Sequence, residues 1–336
     1  MKKRPVTAVC LLLIAALCCT LCACGGTKPD EKQTGIKIVC IGFPEYDWTR
    51  SLLGENPADV SLSLIIDSGA DPHSYQATVE DIAEITACDL LIHTGGVSDQ
   101  WVADALSTVK KNAPAEINML SLLSDRILAE ELVEGMQTKE EHEHEEEGPE
   151  PDEHVWLSLR NAQTVCAAIT EALCALDADN STLYRQNLAD YTAQLAALDA
   201  EFTEALRTAP CDTILVADRF PFRYLTEDYG IRYYAAFAGC SAETDASFET
   251  VIFLAEKLSE LELPAVLTLD GSDARIAQAV LSNSEAEDCA VLSLNSMQSV
   301  RRTQIDGGLR YPDVMRSNLA VLRQALGIDA IGEAAE

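Results

Sequence analysis

The sequence predicts an α/β protein: two βα lobes with parallel sheets, joined by a long rigid helix. Three observations carry that expectation. Short β-rich runs alternate with helical stretches between residues 36 and 110, and again between 213 and 326; such alternation implies parallel strands with helical crossovers. Between the two series no strand pattern intervenes, and Leu188, Tyr191, Leu195, Leu198, Phe202 and Leu206 recur at helical spacing. A helix of roughly 26 residues runs about 40 Å, the height of a two-lobed molecule. Finally, 336 residues with 48% hydrophobic content suit two domains and exclude global disorder.

Taken in order, the chain opens with Lys2, Lys3 and Arg4, followed by the apolar run Val9–Leu21, too short for a comfortable membrane span. Leu21-Cys22-Ala23-Cys24 matches the bacterial lipobox. It predicts a lipoprotein signal peptide over 1–23, lipidation of Cys24, a tether over 24–35, and an extracytoplasmic, membrane-anchored location. An N-terminal α/β lobe is expected over 36–158. In it Ile36–Ile41, Val60–Ile66 and Cys88–Ile92 read as strands, and Asp47–Leu53 and Asp99–Lys110 as helices. Thr78 and Asp81 form a capping box for a helix ending near Thr86. An acidic His loop occupies 138–153. A helical linker is expected over 159–210, with Asn161–Leu176 as one helix and a second capped by Asn180 or Ser181. The C-terminal α/β lobe, 211–330, reads as strands Thr213–Ala217, Ile231–Ala236, Ala265–Leu269 and Ala290–Leu294, with a loop over Asp218–Tyr224 and helices at Phe248–Leu261, Asp273–Leu281 and Pro312–Leu326.

Composition narrows the function. Fifty-five acidic residues against 24 basic ones leave a formal charge of −31, which argues against nucleic-acid binding and favours cations. Five of the twelve cysteines lie at or before Cys24. The other seven (Cys40, Cys88, Cys166, Cys174, Cys211, Cys240 and Cys289) are dispersed, mostly in apolar runs, with no C-x-x-C pair. They read as buried free thiols, and their odd number argues against a complete disulfide framework.

All five histidines fall in the first half of the chain. His73 lies in the loop after Val60–Ile66, beyond the carboxyl end of a strand, where parallel sheets bind ligands. His154 ends the acidic tract and opens the apolar run Val155-Trp156-Leu157. Imidazole suits first-row transition metals, so His73 and His154 are the candidate fixed ligands. His142 and His144 alternate with glutamates and read as an accessory loop that holds metal weakly. His93 reads as a group satisfying a strand end. The second lobe, without histidine, has to supply carboxylate or amide oxygen.

The lipobox, Gly69-Ala70-Asp71-Pro72-His73-Ser74-Tyr75, the acidic His loop and Asp152-Glu153-His154-Val155-Trp156-Leu157-Ser158 together resemble the zinc and manganese solute-binding lipoproteins of ABC transporters. The likeness continues through Phe222-Arg223-Tyr224-Leu225 to Tyr311, Met315 and Asn318-Leu319. It implies a metal site in the cleft between two lobes, with His73 and His154 from the first. The family's third ligand position falls on Arg219, which cannot bind a cation; Asp218, one residue earlier, is the candidate, with Arg219 otherwise its ion-pair partner. At the fourth position Asn295-Ser296-Met297-Gln298 offers no carboxylate. Asp270 is the substitute there, with a helix cap as its other reading, and Gln298 is the weaker alternative. The resemblance implies a monomeric receptor, not an enzyme, that delivers a divalent metal to a membrane permease. The His loop favours Zn²⁺; Mn²⁺ is the alternative cargo. Two readings of other classes are a metal-binding adhesin on the same scaffold and a zinc-dependent extracytoplasmic hydrolase, though the chain lacks the H-E-x-x-H helix typical of the latter.

Overall fold

The structure, a computed structural model, describes residues 35–54, 59–137, 150–241, 245–286 and 288–329. The expected signal peptide, the tether with Cys24, and His142 and His144 of the acidic loop lie outside the described residues.

The first series comprises β1 (Ile36–Cys40), α1 (Phe43–Leu53), β2 (Val60–Leu64), α2 (Val79–Thr86), β3 (Leu90–His93), α3 (Gln100–Ser107), β4 (Ala115–Asn118) and the short α4 (Met119–Leu122). Its strands pair in the order β2-β1-β3-β4, all parallel. Every residue of β3 is buried, because a parallel sheet has both faces covered. The capping box forms as read: Asp81 N donates to Thr78 Oγ1 and Thr78 N to Asp81 Oδ2. Then come α5 (Leu159–Leu176) and the 26-residue α6 (Ser181–Leu206), whose apolar stripe buries Tyr191, Leu195, Leu198 and Phe202.

The second series repeats the topology: β5 (Thr213–Phe220), α7 (Arg223–Tyr229), β6 (Arg232–Ala238), α8 (Phe248–Glu260), β7 (Ala265–Leu269), α9 (Arg275–Asn283), β8 (Ala290–Leu294), α10 (Arg302–Asp306) and α11 (Tyr311–Ala325). Its strands pair in parallel in the order β6-β5-β7-β8. Sequence reading missed β4, whose Ala-Glu-Ile-Asn carries no β pattern and is exposed at its first two positions. It also ended β5 too early. Asp218 and Arg219 belong to the strand, at a register shift between Val216 and Arg219. A bulge of this kind keeps a strand paired while turning its side chains, and Phe220 closes it by stacking on Tyr233 at 3.6 Å.

Two buried acids on α1 differ in kind. Asp47 ties α1 to the far end of the chain, accepting from Tyr311 N at 2.7 Å and pairing with Arg50 and Arg310. Its charge is compensated. Glu45 is also fully enclosed, yet one oxygen takes a hydrogen bond from Thr94 Oγ1 (3.1 Å) and the other has no hydrogen-bond partner among the described residues. Burial pushes its carboxyl up to about 7. A carboxyl raised in the folded state supports folding below its unfolded pKa and loses that support as pH rises toward its folded value. Glu45→Gln should therefore stabilise the protein by roughly 2–3 kcal/mol at pH 8 and hardly at all near pH 4.5. Urea unfolding of both proteins at the two pH values measures this; an equal effect at both would show that folding leaves the Glu45 pKa unshifted.

Candidate metal centre

His73 is fixed by the turn that carries it. Pro72 opens a single 3₁₀ turn, Pro72–Ser74, and Asp71 caps it by accepting from His73 N at 3.0 Å. The second Asp71 oxygen meets Arg219 Nη2 at 2.5 Å, so the bulge of β5 holds the turn from the other lobe. Burial raises the Asp71 carboxyl, but Arg219 beside it brings it below the usual range. The His73 ring lies with Nδ1 2.6 Å from Ser98 Oγ and 4.0 Å from Glu153 Oε2. Glu153 in turn accepts from Val97 N and Ser98 N. Gly96 makes that approach possible: at φ +81° it occupies left-handed space, and a Cβ there would come within 2.3 Å of Glu153 Oε1. Burial, then the facing His154, push the His73 pKa down to about 4, so the ring is neutral and its lone pair available.

His154 is held more tightly. A single oxygen, Asp152 Oδ1, lies 2.9 Å from both His154 N and His154 Nδ1. A carboxylate only accepts, so the ring proton sits on Nδ1 and Nε2 keeps its lone pair. Two motifs that sequence reading singled out explain the rigidity. Tyr224 Oη donates to Asp152 O and accepts from Leu128 N. Tyr311 Oη donates to Trp156 O, while Trp156 Nε1 donates to Ser296 O. His154 itself is fully buried.

The two histidines meet. His73 Nε2 and His154 Nε2 are 3.2 Å apart. Two nitrogens bound tetrahedrally to one zinc ion at about 2.0–2.1 Å stand about 3.3 Å apart, so the pair has the spacing of one edge of such a site. Two second-lobe groups join it. Gln298 Nε2 lies 3.1 Å from His154 Nε2, and Cys240 Sγ lies within 4.8 Å of ring nitrogens of both histidines. Sequence reading had placed Cys240 among buried thiols. The available signal was its position just past the carboxyl end of β6, where parallel sheets place ligand groups. Burial, then the charge of Glu130, raise its thiol pKa.

Asp218 and Asp270, expected as ligands, stand outside this group. Asp218 accepts from Arg219 N (2.9 Å) and Leu269 N (3.4 Å), which fastens the β5 bulge to β7. Asp270 Oδ1 accepts from Ser296 N and Ser296 Oγ, fixing the loop that carries Gln298. Both line a neighbouring cavity of about 610 Å³ with Asp71, Arg219 and Gln298. Arg219 pairs with Asp71 rather than with Asp218. His93 does satisfy a strand end, buried between Asp99 (3.2 Å) and Glu116 (3.0 Å).

Two parallel α/β lobes, with imidazoles from the first meeting polar groups of the second, define the class of two-lobed α/β binding proteins. The family model for the zinc-uptake complex component A, periplasmic, matches residues 38–325, and the chain belongs to that family. It is 28% identical over 318 residues to the zinc-binding lipoprotein AdcA of Streptococcus pneumoniae, covering 93% of this chain but 60% of that protein. It is 27% identical over 328 residues to the high-affinity zinc uptake system protein ZnuA of Bacillus subtilis, covering 96% of each. To the manganese ABC transporter substrate-binding lipoprotein PsaA of Streptococcus pneumoniae it is 26% identical over 327 residues, covering 97% of this chain and 99% of that one. The crystal structure of the Zn(II)-bound ZnuA-like domain of Streptococcus pneumoniae AdcA shares the fold, with a TM-score of 0.68 at 24% identity over 87% of this chain and 99% of that one.

The Asp152 contacts make a specific prediction. Asp152→Ala removes the acceptor that sets both tautomer and orientation of His154, and should weaken zinc binding about 10- to 100-fold. Calorimetric titration of the variant measures it; unchanged affinity would mean that packing alone orients the ring.

Proposed function

We propose that this protein is an extracytoplasmic solute-binding receptor that captures a divalent transition metal, Zn²⁺ foremost, and delivers it to an ABC permease. The observation that carries this reading is the pair of imidazole Nε2 atoms facing each other at 3.2 Å inside the molecule. Family membership and the zinc-named relatives support the same cargo; the manganese-named relative keeps Mn²⁺ as the second candidate. In this reading His73 and His154 bind the ion, and Asp152, Ser98 and Glu153 hold their rings. The metal is cargo, so the site has to bind and release it rather than activate a substrate.

The remaining parts of the reading follow from the sequence. Lipid on Cys24 anchors a monomer to the membrane through the tether over 24–35. His142 and His144 in the loop over 138–153 collect zinc weakly near the cleft, and the divisions at 158/159 and 210/211 mark lobe, linker and lobe. Release requires the permease to bind a conformation in which the lobes part, because tight binding alone gives transport no direction. The Asp71–Arg219 pair is one contact that such a movement has to break.

Calorimetric titration of the purified protein should show one tight Zn²⁺ site. His73→Ala and His154→Ala should each abolish it, whereas deletion of residues 138–150 should leave it and remove only weak extra binding. Tight binding that survives both histidine substitutions would refute the site; loss on loop deletion would reverse the assigned roles.

A further inference from the structure

The geometry points to Cys240 as the third metal ligand, making a His₂Cys donor set that selects zinc over manganese. The inference rests on the receptor reading above and deepens it by naming the second-lobe donor.

The cysteine stands apart from its counterparts. Cys40, Cys88, Cys166, Cys174, Cys211, Cys240 and Cys289 are all free. Six of them lie within or against the three apolar clusters, and Cys240 belongs to none among the described residues. Its surroundings are polar. Cys240 N donates to Glu130 Oε1 at 2.8 Å, and the next residue, Ser241, offers its carbonyl to Arg219 Nη1 at 3.5 Å. These contacts anchor the segment after β6 from both sides. Gly239 then lets it reach the histidines, since a Cβ at that position would stand 2.9 Å from His154 Cε1 and 2.8 Å from Phe220 O. Only a residue without a side chain fits there.

The distances suit a shared ion. In a tetrahedral site with Zn–N of about 2.0–2.1 Å and Zn–S of about 2.3 Å, the N···S edge is about 3.6 Å. Cys240 Sγ and one ring nitrogen of each histidine lie within 4.8 Å of one another, so a closing movement of about an ångström completes the triangle. The Gln298 amide, already 3.1 Å from His154 Nε2, faces the fourth position, and turning it over presents Oε1 in place of nitrogen. Arg219 is explained too. At the position where the resemblance places the third ligand, this chain has a guanidinium that binds Asp71, and the donor comes from the segment just after the neighbouring strand β6 instead.

The chemistry sets the selectivity. On binding, the Cys240 S–H proton leaves to solvent and its sulfur lone pair forms the metal–sulfur bond; no electrons are transferred. Thiolate favours zinc and other soft or borderline ions, whereas Mn²⁺ prefers oxygen donors. A His₂Cys site therefore discriminates by ligand type, which a set of two nitrogens and two carboxylates does not.

The test uses Co²⁺ as a spectroscopic probe on the full, reduced chain, together with zinc and manganese titrations. The wild type should give a thiolate-to-cobalt charge-transfer band saturating at one equivalent. Cys240→Ser should abolish the band, weaken Zn²⁺ at least tenfold and lower the Zn²⁺/Mn²⁺ affinity ratio by a similar factor. Zinc-edge X-ray absorption of the wild type, which needs no variant, should show one sulfur at about 2.3 Å among nitrogen and oxygen neighbours. A shell without sulfur, or a ratio unchanged in a folded Cys240→Ser protein, would overturn the Cys240 assignment while leaving the histidine site intact. Absence of tight zinc binding in the wild type would instead overturn the receptor reading on which it rests.

Discussion

Setting His73 Nε2 only 3.2 Å from His154 Nε2 inside the protein brings two ring nitrogens face to face. Such an arrangement persists only if a proton or a cation lies between them, and much of the surrounding structure maintains it. Asp152 fixes the tautomer of His154, and Tyr224 holds the backbone of Asp152. Ser98 faces the His73 ring while Glu153 fastens the Ser98 backbone. Burial keeps His73 neutral down to about pH 4, so its ring carries one proton and one lone pair under ordinary conditions. The motifs around His154 and Tyr224 thus serve the same two nitrogens.

The lobes are coupled at several points that differ in chemistry. Asp47 and Trp48 engage Tyr311 by a hydrogen bond and an edge-on ring contact, and Trp156 bonds to Ser296. These contacts are buried. Asp71 and Arg219 meet in the lining of the cavity that Asp218 and Asp270 also line. An ion pair that water can reach is weaker than a buried one and easier to exchange.

Much of the fold was legible in the sequence because periodicity reports burial. The alternation of strand and helix, the capping box at Thr78 and the stripe on α6 all follow from local pattern. His73 and His154 were legible as chemistry, each beside an Asp two residues upstream that caps it. What escaped depends on distant partners. β4 has no pattern of its own and exists because β3 offers it an edge. The continuation of β5 through Asp218 and Arg219 needs the bulge against β6. Cys240 follows an apolar strand and resembles a core thiol; its neighbours, His73 and His154, come from distant parts of the chain. Asp218 and Asp270 had suitable chemistry, and the structure sets them in the neighbouring cavity, each with an oxygen accepting from a backbone amide.

The most direct test is to locate the metal itself. A crystal structure of the protein grown with zinc, with anomalous difference maps at the zinc edge, should place one ion bonded to His73 Nε2, His154 Nε2 and Cys240 Sγ. An ion held instead by Asp218 and Asp270 in the neighbouring cavity, with the two imidazoles still bonded to each other, would contradict the account.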